Sequence, residues 1–241
     1  MPETQVGDSV LIEQLGSTDR STQRQACDEL ARRIGQDPKL RDALIVSLRE
    51  GNPRARFASA FVLFGAERPT LRLLPALLDA LKITDGDIRW QATHMLSTLG
   101  RLHEEVFPVL LHEAQGAQSP LQRRMALYAL RELAPERPET AVACAAALDD
   151  PSVPVRLAAL TCFGKLTDSG RPALDRILAI ATRDPDPRMQ GLATVALPNL
   201  TASHPDALPA VKEALRSLAR SDHTSVARAA TAARMRLDAD G

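Results

Sequence analysis

Asp149-Asp150-Pro151-Ser152-Val153-Pro154-Val155-Arg156-Leu157-Ala158-Ala159-Leu160 reads as a turn followed by the opening of a helix. Its carboxylates can accept from the free N–H groups of a first helical turn, its prolines sit where no N–H partner is needed, and small and aliphatic residues then follow at helical spacing. The arginine in this stretch marks a slot that recurs as Arg24, Arg56, Arg89, Arg123, Arg156, Gln190 and Ala227. Three residues beyond the slot stand Cys27, Ser59, Ala92, Ala126, Ala159, Ala193 and Ala230, always small. A small side chain there lets helices approach closely, and the apolar residues at +6 and +7 fill the space between them. This second helix of each unit is called helix B.

Upstream of each slot lies another recurrence: Leu11, Leu44, Leu77, Leu110, Cys144, Ile177 and Ala214, at steps of 33, 33, 33, 34, 33 and 37 residues. Four residues after each come Leu15, Leu48, Leu81, Ala114, Leu148, Ala181 and Leu218. Such pairs share one helical face and define a first helix, helix A. The two helices are separated by turn and capping residues: Ser17-Thr18-Asp19, Gly51-Asn52-Pro53, Thr84-Asp85-Gly86-Asp87, Ser119-Pro120, Asp184-Pro185-Asp186-Pro187 and Ser221-Asp222. Pro75, Pro108, Pro172 and Pro209 fall near the starts of helices A, where a first turn tolerates them. Seven helical hairpins result, at about 1–36, 37–67, 68–101, 102–135, 136–168, 169–202 and 203–241, with the long last step pointing to an insertion near Thr201 to Asp206. No hairpin can bury its apolar face alone, so the expectation is one all-α domain of stacked units. Asp8 and Ser9 are candidate caps of the first helix, and the alanines from Ala227 to Ala233 thin the core of the last.

Composition agrees with this reading. Of 241 residues 44% are apolar and only 3% aromatic, which leaves Ala, Leu and Val to build closely packed helices. Thirty basic and thirty acidic residues cancel, which gives no bulk attraction for nucleic acid or an anionic membrane. The start, Met1 to Asp8, shows neither the charged nor the apolar region of a secretory signal, and the longest apolar run, Ala141 to Leu148, is far below the roughly 20 residues of a membrane span. A cytoplasmic protein is expected. Cys27, Cys144 and Cys162 are odd in number and far apart, the usage of small core side chains rather than of disulfides or zinc.

Val155-Arg156-Leu157-Ala158-Ala159-Leu160 after Asp150-Pro151, and Ile88-Arg89-Trp90-Gln91-Ala92, resemble the helix B openings of the HEAT-repeat family. The match is to its short bacterial form of about 33 residues, of the phycobilisome-lyase HEAT-like type. The resemblance covers essentially the whole chain and departs at Gln190 and Ala227, where the arginine is missing. It implies a right-handed α-α superhelix of the HEAT-like or armadillo type, with helices A on the convex side and helices B on the concave side, where extended partners lie.

Two sets of residues are candidates for function. Arg24, Arg56, Arg89, Arg123 and Arg156 form a ladder that is expected to pair with neighbouring loops and fasten one unit to the next. An anion-binding row would require unpaired guanidiniums on a neutral protein. The aromatics are few but concentrated. Slot +1 reads Phe57, Trp90 and Arg124, slot +5 reads Phe61, His94 and Tyr128, and Phe64 lies nearby; the first unit is read with Gln25 and Glu29 in these places. Both slots lie off the buried stripe and toward the open face. These residues either form a partner-binding ladder or fill the gaps between helices B, and their exposure decides between the two.

Enzymes built on such repeats fit less well. Di-iron hydroxylases distribute His-Glu pairs over several repeats, whereas His103-Glu104 and His112-Glu113 are read as lying in one helix A and on opposite sides of it. Alkylation-repeat DNA glycosylases require a basic groove that zero net charge does not supply. Phycobilin lyases would need an apolar pocket lined by Phe57, Trp90 and Tyr128. The expectation is therefore a monomeric, non-catalytic scaffold without cofactor or metal, which binds a protein or peptide, with nucleic acid disfavoured and no membrane contact.

Overall fold

A computed structural model describes residues 7–166 and 171–239. Fourteen α-helices and two single 3-10 turns, 71–73 and 205–207, account for the regular structure among them, and no strand is present there. Helices A are α1 (Asp8–Gln14), α3 (Pro38–Glu50), α5 (Leu74–Ala80), α7 (Val106–Gly116), α9 (Pro138–Ala147), α11 (Arg171–Arg183) and α13 (Leu208–Leu218). Helices B are α2 (Arg20–Arg33), α4 (Pro53–Ala66), α6 (Gly86–Leu102), α8 (Pro120–Leu133), α10 (Val153–Phe163), α12 (Pro187–Ala202) and α14 (Thr224–Ala239). The chain forms two compact units, one up to Val109 and one from Leu110. In the first, α3 packs on α4, α2 on α4, and α4 on both α5 and α6. In the second, each hairpin from α9 onward closes on itself and the helices B follow in the row α8, α10, α12, α14. Each unit is thus a stack of helical hairpins.

The loops expected to cap helices do so unevenly. Asp19 accepts from Thr22 N–H at 2.7 Å, Asn52 from Ala55 N–H at 2.9 Å, and Asp85 from the N–H groups of Asp87 and Ile88 at 3.0 and 3.5 Å. Ser119 and Ser152 occupy N-cap positions without a side-chain cap bond. The first helix departs from expectation: Gly7 is its N-cap, and the Asp8 carboxylate instead takes Arg33 of α2 at 2.8 Å, tying the two helices together. Met1 to Val6, read for a signal, lie outside the described residues.

Burial corrects the register at both ends. In α2 the residue eight beyond Leu15 is Gln23, as Arg56 is eight beyond Leu48. Gln23 Nε2 donates to the Leu15 carbonyl at 2.7 Å, as Arg56 Nε donates to the Leu48 carbonyl at 3.3 Å. With Gln23 in the slot, position +7 becomes Leu30, Leu63, Leu96, Leu130, Phe163 and Leu197, all buried, and position +3 becomes Ala26, equally buried. Slots +1 and +5 of the first pair therefore hold Arg24 and Asp28, not Gln25 and Glu29. At the other end α13 buries Val211, Leu215 and Leu218, while Ala214 does not join its core. The step from Ile177 is then 34 residues to Val211, and the extra residues fall between Leu215 and Ala227, across the end of α13 and the turn that follows it, rather than near Thr201.

The arginine ladder does two jobs. Arg89 donates to the Ile83 carbonyl at 2.6 Å, Arg123 to the Ala117 and Gln118 carbonyls at 2.7 and 3.2 Å, and Arg156 to the Asp150 and Pro151 carbonyls at 2.7 and 3.2 Å. Each covers carbonyls at or just past the end of its own helix A, which lack an intrahelical donor. Two of them also reach the next pair: Arg56 meets Asp79 at 2.7 Å, and Arg123 grips Asp150 through Nε and Nη2 at 2.6 and 2.9 Å. Arg24 makes neither contact among the described residues and instead lines a hollow on the open side of α2 and α4.

Within the α3–α4 hairpin, Ser59 and Ser47 hydroxyls meet at 2.8 Å in the core, and a Cβ on Gly51 would lie 2.6 Å from the Ser47 carbonyl oxygen and 2.9 Å from the Ala55 Cβ. Gly51→Ala is expected to lower stability by about 1–3 kcal/mol in urea unfolding, since backbone must move to admit the methyl. Burial works to raise the Asp150 carboxyl, but Arg123 and the Ser152 N–H outweigh it and hold the group below the ordinary carboxylate range. A depressed carboxyl stabilises above its unfolded pKa and loses that contribution as pH falls. Arg123→Ala should therefore cost about 3 kcal/mol near neutral pH. The difference from the unsubstituted protein should narrow toward acid, as checked by denaturation at a series of pH values.

Candidate functional site

The predicted aromatic residues separate when placed on the structure. Phe57, Phe61, Phe64, Trp90 and His94 belong to the first unit, on α4 and α6; Arg124 and Tyr128 belong to α8 in the second.

In the first unit, α2, α4 and α6 lie side by side, and their open faces enclose a hollow of about 420 Å³. Its apolar floor is made by Phe57, Ala58, Phe61 and Ile88, with Arg24 and Asp28 on one wall. Trp90 is 51% exposed and Phe61 42%, while His94 is also exposed and Phe64 half-buried. Phe57 contradicts the expectation of an open-face position, at 4% exposure. It sits on the middle helix of the three, with the Phe61 ring 6.3 Å away and tilted 38° to it, and so it supports the exposed ring rather than meeting solvent.

The polar rim is asymmetric. Asp85, the N-cap of α6, has a side chain only 6% exposed and receives Arg54 of α4 at 3.4 Å and Arg20 of α2 at 3.0 Å. Burial opposes its ionisation, but the Ile88 and Asp87 N–H groups and both arginines outweigh that and lower its pKa. Arg20 also meets Asp87 at 2.6 Å. Arg24 and Asp28 make no ion pair among the described residues. Neither Arg20 nor the Asp85–Asp87 pair stands out in the sequence as a functional group: the contacts span 65 and 67 residues, and no local pattern announces a link between the first and third hairpins.

On α8, Tyr128 is half-buried and the Arg131 guanidinium carbon lies 5.1 Å from its ring centre. Burial pushes its phenol up foremost, with Cys162 adding to the effect and Arg124 and Arg131 opposing it. Arg124 is half-buried beside it in sequence register, with Nε lacking a hydrogen-bond partner among the described residues.

The remaining chemistry-bearing residues do not assemble. His103 and Glu104 lie outside α7, contrary to the placement of both His-Glu pairs in one helix: His103 is the C-cap of α6, its Nε2 2.9 Å from the Pro69 carbonyl, and only His112-Glu113 are in α7. Among the described residues no three His, Cys, Asp or Glu side chains come together as a metal site. All three thiols are buried, and burial above all pushes Cys27 up to about 11. No described helix is long and apolar enough to cross a membrane.

Trp90 is the only tryptophan, which makes it a reporter of the face. Its emission should be readily quenched by acrylamide in the folded protein, and Trp90→Ala should cost less than about 1.5 kcal/mol. Phe163→Ala, which empties a fully buried site, should cost about 3–5 kcal/mol.

No family model matches the chain, and no curated protein matches it. Solved structures do. The archaeal HEAT-like repeats protein from Thermococcus onnurineus NA1 is similar at 13% identity and a TM-score of 0.57, over 98% of this chain and 99% of that one. The Escherichia coli protein YibA is similar at 16% identity and 0.59, over 97% and 93%. Kap95p, solved with RanGDP, is similar at 15% identity and 0.58 over 98% of this chain, which corresponds to 35% of its own length. At these identities the likeness is one of fold: this chain is built as a HEAT/armadillo-type repeat solenoid.

Proposed function

We propose that this protein is a non-catalytic scaffold of the short bacterial HEAT-like type, which holds a peptide or protein segment across the helices B of its first unit. The reading is carried by one observation: Phe61 and Trp90 present exposed rings on adjacent helices, and a buried Phe57 packs against the Phe61 ring at the floor of the hollow. Exposed aromatics on a fixed backbone lose little freedom when covered, the property that makes such residues anchors. Helices packed about 8–10 Å apart would offer an extended segment, at about 3.3 Å per residue, one contact every third residue. Two rings covered at about 1.5–3 kcal/mol each do not by themselves offset association costs of about 4–15 kcal/mol, so contacts along the rest of the segment must supply the remainder and the complex is weak and exchangeable. Kap95p, which is similar in fold, binds a protein, RanGDP. His94 is then a polar member of the face, and the chain acts in the cytoplasm as a monomer.

Phe61→Ala/Trp90→Ala is expected to lose a partner that the unsubstituted protein recovers from extract of its own cells, at a thermal midpoint within a few degrees of the parent. Recovery of the same proteins by both baits would remove the reading.

A further inference from the structure

The rim of the proposed groove specifies the chemistry of its partner. Arg20 places Nη1 2.6 Å from Asp87 Oδ2 and Nη2 3.0 Å from Asp85 Oδ1, so one guanidinium of the first hairpin is held by two carboxylates of the third, past the hairpin between them. Stacked repeats ordinarily meet only their neighbours. All three residues line the hollow floored by Phe57 and Phe61.

The members of this bridge are held very differently. Asp85 is fixed by two backbone N–H groups and Arg54, whatever Arg20 does. Arg20 and Asp87 are 65% and 74% exposed, and ion pairs between such exposed groups contribute little in water. Arg20 is thus replaceable. Were it to swing away, the hollow would present the carboxylates of Asp28, Asp85 and Asp87 against Arg24, with Arg54 still on Asp85, a lining that remains net negative above an aromatic floor. A planar guanidinium suits both parts, since it forks onto carboxylates and stacks on aromatic faces.

On the basis of that groove, we infer that the partner is an extended segment bearing an arginine, which replaces the Arg20 guanidinium on Asp85 and Asp87 while an apolar residue about three positions away covers Phe61. Arg20 is then an internal competitor that keeps the hollow filled until such a segment arrives. A segment with glutamate in the arginine position meets two carboxylates already paired and gains nothing.

The test uses two fluorescein-labelled peptides, one repeating Gly-Arg-Ala-Leu and the other Gly-Glu-Ala-Leu, titrated by fluorescence polarisation against the full chain. Removing a competitor raises apparent affinity by the fraction of sites it held, so Arg20→Gln should bind the arginine peptide about three- to tenfold more tightly than the unsubstituted protein. It should leave the glutamate peptide unchanged. Asp87→Arg, a change at an exposed residue, should abolish capture of the arginine peptide, and it keeps the test decisive if Arg20→Gln proves unstable. Equal or weaker binding of the arginine peptide by Arg20→Gln, binding that survives Asp87→Arg, or no binding of that peptide by any form would overturn the inference. If partner capture from extract still depends on Phe61 and Trp90 in that event, the groove stands and only its arginine preference falls.

Discussion

Every helical hairpin here carries an apolar face that its own two helices cannot close, and covering that face with the next hairpin is the constraint that organises the molecule. The residues that meet it are repetitive because the geometry is repetitive. Leu30, Leu63, Leu96, Leu130, Phe163 and Leu197 occupy one position of helix B and all are buried. The alanine or serine four residues before each of them lets the backbones approach closely enough for the larger side chains to interdigitate.

Close stacking creates a polar problem that the slot residues solve. Helices A are short and end against their own helices B, leaving carbonyls without intrahelical donors close to the core. Gln23, Arg56, Arg89, Arg123 and Arg156 supply those donors from one helical register, and Arg56 and Arg123 use the rest of the guanidinium to hold a carboxylate of the following hairpin. Glutamine suffices where only the carbonyl must be covered. In the first five hairpins the slot is therefore defined by a long side chain with an N–H at its tip rather than by positive charge, which is why following the arginines alone misplaces the first hairpin by one residue. The last hairpin misleads for a related reason: Ala214 and Leu218 have the right spacing, but Val211 and Leu215 have the same spacing and bury more.

A rigid floor with replaceable rim charges gives the first unit its character. Phe57 is committed to packing, Phe61 and Trp90 to the open side, and Asp85 to the start of α6, whereas Arg20 and Asp87 remain largely in water. The floor of this face is therefore fixed by packing and backbone hydrogen bonds, while its outer rim charges are held by solvent-exposed ion pairs. On α8 the pairing of Tyr128 with Arg131, and its partial burial, give that aromatic a different setting from Trp90 although both belong to the same repeating pattern.

Amino-acid order alone suffices for the all-helical hairpins, their spacing near 33 residues and the apolar rows, because helical periodicity is a local property that each segment expresses in its own composition. The same periodicity sets Phe57, Phe61 and Trp90 alike off the buried stripe, and leaves open whether they meet solvent or fill gaps between helices. That Phe57, in the same slot as Trp90, is covered emerges only when the helices are assembled, because burial depends on which helices flank a position and not on the position alone. Packing likewise brings Arg20 to Asp85 and Asp87: when three helices stand side by side, groups some 65 residues apart in the chain come within hydrogen-bond reach, and no periodicity encodes which of the many charges on those helices will meet.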